Sequence, residues 1–117
     1  MFNIFQKVNH NGGITIDKKG SEYKGKGYAV AVSKDLELVI DESLFIPELI
    51  DQVIKHYGDK LNRDRVFLGI WKEAGKVYFD LSEVVTDKDQ AIELGKERNQ
   101  LAIFDFSSLE VIDLKGE

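Results

Sequence analysis

Apolar residues in this chain recur at two spacings, and the switches between them divide the sequence into elements. Phe2, Phe5 and Val8 lie three apart, which predicts a short N-terminal helix over Phe2–Val8. Asn9–Gly13 ends it, because Asn and Gly tolerate the left-handed conformation at a helix stop. Ile14–Ile16, Tyr28–Val32 and Leu36–Ile40 are rich in β-branched or aromatic residues and read as strands. Helical spacing returns at Ile46, Leu49, Ile50, Val53 and Tyr57, flanked by Ile54. Pro47 suits the first turn of that helix and Gly58 its stop.

Val66–Trp71 and Lys76–Leu81 then predict a β-hairpin around a polar loop containing Gly75. Alternation along the second strand puts Val77, Phe79 and Leu81 on one face and Tyr78, Asp80 and Ser82 on the other. Thr86 with Asp89 makes a capping-box-like helix start, and Ala91, Ile92, Leu94 and Gly95 give that helix its buried side. Gln100–Phe106 returns to strand, and Leu109–Leu114 adds a short last one. The order predicts a single α+β domain over 1–117: a mainly antiparallel sheet, two main helices packed on it, and a short N-terminal helix.

A chain of 117 residues with 43% hydrophobic content can bury a core without disulfides, and it contains no Cys. That composition excludes thiolate metal sites and cysteine nucleophiles and fits a cytoplasmic location. The N-terminal text reads as neither signal peptide nor membrane span. The net charge of −5 is uneven: residues 1–34 carry a balance of +4, and residues 35–117 one of −9. An acidic body argues against direct nucleic-acid binding and suits a basic partner surface.

The stretch "GSEYKGKG", Gly20–Gly27, approaches a phosphate-binding loop but has Gly27 where a magnesium-binding hydroxyl belongs. A strand follows it, not the helix whose N-terminus would receive phosphate. It is expected to be a flexible hairpin loop within the loose region Asp17–Gly27, presenting Lys18, Lys19, Lys24 and Lys26. His10 and His56 lack the company a zinc site needs, so no metal and no cofactor is expected. Asp80 and Asp105 each interrupt an apolar strand, in "YFDLS" and "IFDFS". Adjacent strands would let them share a pocket and gain acid–base capacity; otherwise each caps a turn. Trp71, ending its strand beside a polar loop, is the best candidate for a partly exposed aromatic anchor, with core packing as the alternative.

The text "LGIW…GKVYFDLSEVVTDKDQAIELGKERNQLAIFDF" resembles a family of small uncharacterised proteins found in bacteriophages, prophages and other mobile elements. The family pattern is G-x-W, then VYxDxS, an acidic helix start and NQxAIxD, and "GGITID" and "GYAVAVS" resemble its N-terminal half. The resemblance implies a site, not an activity. The characteristic polar and aromatic positions fall here on Trp71, Tyr78, Asp80, Ser82, Asn99, Gln100 and Asp105.

The expected function is a non-enzymatic acidic binding protein of phage or mobile-element origin that occupies a basic surface on a host nucleic-acid-handling or defence protein. Its acidic face, from Asp80 through Glu83, Asp87, Asp89, Glu93 and Glu97, would stand in for phosphates. The alternative is a small-ligand, nucleotide-like binding protein that stacks its ligand on Trp71 or Tyr78, with Asn99, Gln100 or Lys24 as polar contacts. A carboxylate-based hydrolase on Asp80 and Asp105, or a phage structural accessory, ranks below both, since no nucleophile is legible. An exposed edge strand leaves room for a homodimer.

Overall fold

The computed structural model describes residues 2–114. In chain order the elements are α1 (Phe2–Asn11), β1 (Gly13–Ile16), β2 (Tyr28–Ala31), β3 (Leu38–Asp41), α2 (Pro47–Tyr57), β4 (Val66–Glu73), β5 (Lys76–Val85), α3 (Lys88–Glu97), β6 (Ala102–Asp105) and β7 (Glu110–Asp113). Every strand pairing is antiparallel, in the order β1-β4-β5-β2-β6-β7, with β3 also paired to β5. The fold is α+β, as the hydrophobic pattern predicts.

The long β4–β5 hairpin is the frame. It turns at Ala74 and Gly75, both at positive φ (52° and 80°), the requirement of a two-residue turn that follows the strand twist. Along both strands alternate residues point to one face: Val66, Leu68 and Ile70 from β4, and Val77, Phe79 and Leu81 from β5. There they meet Ile4 and Val8 of α1 and Ile50, Val53 and Tyr57 of α2. Each fully buried side chain of this size contributes about 1.5–3 kcal/mol relative to exposure. Farther along the same face Tyr28, Val30, Val85 and Ile103 pack under α3 through Ala91. Among the described residues all three α-helices therefore cover one side of the sheet, and the other side has no helix.

Several details differ from the pattern-based expectation: α1 runs on to Asn11, past the stop expected from Asn9, and the hairpin strands run on to Glu73 and Val85. The third strand begins at Leu38, because Lys34–Leu36 form a 3-10 turn capped by Ser33. The cap of α3 is Asp87, not Thr86: its carboxylate accepts from the Gln90 amide at 2.9 Å. Gln100 and Leu101 precede β6 instead of beginning it. The segment Asp17–Gly27 is neither loose nor a β1–β2 hairpin, since β4 and β5 separate those strands.

That segment first turns tightly, with the Asp17 carboxylate accepting from the amides of Lys19 and Ser21. Glu22 then bridges back to Ile16, and the chain crosses the helix-free side of the sheet to reach β2. Tyr23 fixes this strap. Its ring lies 4.8 Å from Phe67 on β4 and 4.7 Å from Phe106, just after β6. Strands β4 and β6 are three places apart, about 14 Å in a flat sheet. One ring touches both because the sheet curls around the strap, so the helix-free side is concave.

Candidate functional site

The registers arrange the concave side in rows. The outermost apolar row is Val39, Tyr78, Trp71 and Gly13; the next is Asp80, Gly69 and Thr15; the next is Ala31, Ser82 and Phe67. Trp71 and Tyr78 face each other across the hairpin with centroids 5.4 Å apart and planes 7° from parallel, an offset stack. Tyr78, Asp80 and Ser82 share this face, as their alternation predicts.

Asp80 occupies a gap in the sheet. Ala31 pairs with Ser82 and Leu38 with Phe79, so the six residues Val32–Glu37 stand opposite only Asp80 and Leu81. This bulge is pinned by Val32, whose amide donates to the Leu81 carbonyl at 2.8 Å. Tyr57, reaching through from α2, donates its hydroxyl to the carbonyls of Leu36 and Phe79. On the other side lies Gly69, where a Cβ would come within 2.8 Å of Asp80 Oδ1 and 3.7 Å of Trp71 Cζ3. Only glycine lets the carboxyl group rest over the β4 backbone.

Burial pushes the Asp80 carboxyl up to about 7, the nearby Glu37 adds to the rise, and a hydrogen bond with the Ser82 hydroxyl opposes it. Burial, then Asp80 and Glu37, push the Tyr57 phenol up to about 12. Among the described residues neither Asp80 nor Glu37 belongs to a salt bridge. Elsewhere the same fold does answer a half-buried acid: Arg98 meets Glu83 at 2.7 Å.

The structure brings together Trp71, Tyr78, Asp80 and Ser82 and disperses the other three. Asn99 and Gln100 are the stop of α3. Asn99 takes φ 57°, its amide bonds the Lys96 carbonyl, and the Gln100 amide bonds that of Gly95. These are the two hydrogen bonds of a Schellman motif, whose left-handed position suits Gly or Asn. Asp105 caps its own turn, accepting from the Ser107 amide at 2.9 Å. Asp105 pairs with Tyr28, and Tyr28 with Val85, so Asp105 faces the helix side and Asp80 the opposite side. The two are separated by about 16 Å along β5 and 10 Å across the strands, which removes the two-carboxylate hydrolase. Asn99 and Gln100 line a small groove with Lys96, Leu101 and Leu114, and Trp71 is not among its lining residues.

The acidic face is also divided. Asp80 lies on the concave side, Glu83 is paired with Arg98, and Asp87 caps α3. Asp89, Glu93 and Glu97 remain exposed on α3, and Glu93, Glu97 and Glu83 line a groove of about 410 Å³ with Arg65 and Gln90. Lys19, Lys24 and Lys26 are exposed on the strap, while Lys7 pairs with Glu22 and Lys18 with Asn62. His10 and His56 are exposed.

Sequence reasoning missed Glu37, Gly69 and Tyr57. Gly69, an interruption in an otherwise apolar strand, is a signal for close approach. Glu37 carries no such mark, because its nearness to Asp80 depends on the bulge.

A carboxyl group beside aromatic rings can attract a cation. Among the described residues no group of three or more His, Cys, Asp or Glu is placed to hold a metal ion, and no helix is long and apolar enough to cross a membrane. No protein-family model, curated protein or solved structure matches the chain.

Proposed function

We propose that this chain is a non-enzymatic binding protein of phage or mobile-element origin that engages a basic surface of a host nucleic-acid-handling or defence protein. The observation that carries the reading is the pair Asp80 and Glu37. One largely buried carboxyl group has a second acid near enough to raise its pKa, and among the described residues no salt bridge answers either. Such an arrangement is unfavourable in the free protein and relieved by an incoming positive charge. The Trp71–Tyr78 stack beside it supplies apolar contact area. The carboxylates of Asp89, Glu93 and Glu97 on α3, none of them in a salt bridge among the described residues, add long-range attraction that speeds encounter and weakens with salt. Phage or mobile-element origin rests on the sequence resemblance.

The test is affinity capture from a bacterial host lysate at low and high salt, with mass spectrometry of bound proteins and small molecules. The expected result is a basic protein that salt releases and that Asp80→Asn fails to retain. A co-purifying nucleotide with no protein partner overturns the reading.

A further inference from the structure

We propose that the group received on the concave face is a single arginine side chain of the partner, its guanidinium lying against the Trp71–Tyr78 stack and hydrogen-bonded through two N–H groups to the Asp80 carboxylate. This rests on the basic-partner reading and names the chemistry that the site selects.

The geometry supports it in three ways. First, the carboxylate and the indole are close neighbours. Asp80 Oδ1 and Trp71 Cζ3 lie 2.8 and 3.7 Å from one point above Gly69, so a group that pairs with the carboxylate is also brought near the indole. Second, the site offers flat aromatic surface and a carboxylate together. A guanidinium uses both, since it is planar, weakly hydrated and presents parallel donors; an ammonium is a compact charge that keeps its water. Third, the nearby Glu37 adds to the negative potential at Asp80, which favours a cation there.

A divalent metal fits less well. Hard cations take six or more oxygens, and among the described residues no third His, Cys, Asp or Glu joins Asp80 and Glu37. The exposed acids of α3 lack the aromatic surface and the partly buried carboxyl group, and therefore do not distinguish arginine from lysine.

The test uses the whole protein and three capped peptides, Gly-Gly-Arg-Gly-Gly and its lysine and citrulline counterparts. Two readouts follow the site: the emission of Trp71, the only tryptophan, and the NMR shift of the Gly69 amide. The arginine peptide is expected to give saturable binding at pH 8, the lysine peptide binding about tenfold weaker, and the citrulline peptide none. Asp80→Asn is expected to abolish the response and Trp71→Leu to weaken it about fivefold, read at Gly69. Glu110→Gln, an exposed position on β7, is expected to leave it unchanged.

Equal affinity for lysine and arginine overturns the guanidinium inference and leaves the basic-partner reading standing. So does the absence of any peptide response while Asp80-dependent capture of a basic protein persists. Loss of both overturns both. A shift of Gly69 by magnesium or calcium alone, dependent on Asp80, reassigns the site to a metal ion and overturns the inference.

Discussion

Gly69 stands directly across the β4–β5 ladder from Asp80, and a Cβ at Gly69 would come within 2.8 Å of the Asp80 carboxylate oxygen. Real side chains do not tolerate that contact, so Gly69→Ala must push the carboxyl group out of its place. The expected result is a cost of about 1 kcal/mol in stability, because a short side chain shifts in place of the backbone. The Asp80 carboxyl, pushed up to about 7 by burial in the parent, is expected to fall toward the ordinary carboxylate range as it gains solvent, read as the pH midpoint of Trp71 emission. Thermal melting and a fluorescence titration together check both.

Asp80 also sets a pH dependence of stability. Its ordinary value of 3.8 rises to about 7 in the folded chain, so between about pH 4 and 7 the folded state holds a proton that the unfolded state releases. Stability from this group is therefore full below about pH 4, declines as pH rises to 7, and stays low above. The shift bounds the effect at about 4 kcal/mol, and solvent at the partly exposed side chain reduces it to about 2 kcal/mol. Glu37 from the bulge, Tyr57 from α2 and the Ser82 hydroxyl are the groups that face it. Asp80→Asn is expected to melt several degrees higher than the parent at pH 8 and at the same temperature near pH 4. A lower melting temperature for the variant at pH 8 would make Asp80 a structural residue.

Tyr57 is the support beneath the bulge. Its hydroxyl holds the Leu36 and Phe79 carbonyls, and burial keeps the phenol protonated until about pH 12. Tyr57→Phe is expected to cost about 1–2 kcal/mol by leaving those carbonyls without their donor. Ultraviolet titration of the parent should show a tyrosine that ionises only near pH 12, and that late step should vanish in the variant.

Asn99 separates a helix stop from a binding residue. At φ 57° Asn is tolerated, Gly is favoured and Ala is strained. Asn99→Gly is expected to leave stability unchanged or slightly raised, and Asn99→Ala to lower it by about 1 kcal/mol. Neither is expected to change arginine-peptide binding. A binding defect in Asn99→Gly would return this residue to the site.

What could be read from the sequence followed from local periodicity. Alternation in "KVYFDLS" is enough to set Tyr78, Asp80 and Ser82 on one face, and the hairpin signal brings Trp71 opposite Tyr78. Similar text misled where pairing is nonlocal. "YFDLS" and "IFDFS" look alike, but β2 lies between their strands and the register turns the two acids to opposite faces. "RNQ" read as recognition chemistry is helix-stop chemistry, and the left-handed preference of Asn was the available clue. Glu37 was out of reach, because six residues must bulge opposite two before it approaches Asp80.

The strap from Asp17 to Gly27 also imposes an order of events on folding. It joins β1 to β2 across two strands that occur later in the chain, so its landing place does not exist until residues 66–85 have paired. The hairpin, with contacts close in sequence, is the natural nucleus; β1 and β2 must wait for it despite preceding it. During synthesis the earlier segment remains without its partner strands until the hairpin emerges, and Tyr23 closing onto Phe67 and Phe106 is then a late latch. A substitution such as Tyr23→Ala should accordingly hasten unfolding far more than it slows folding.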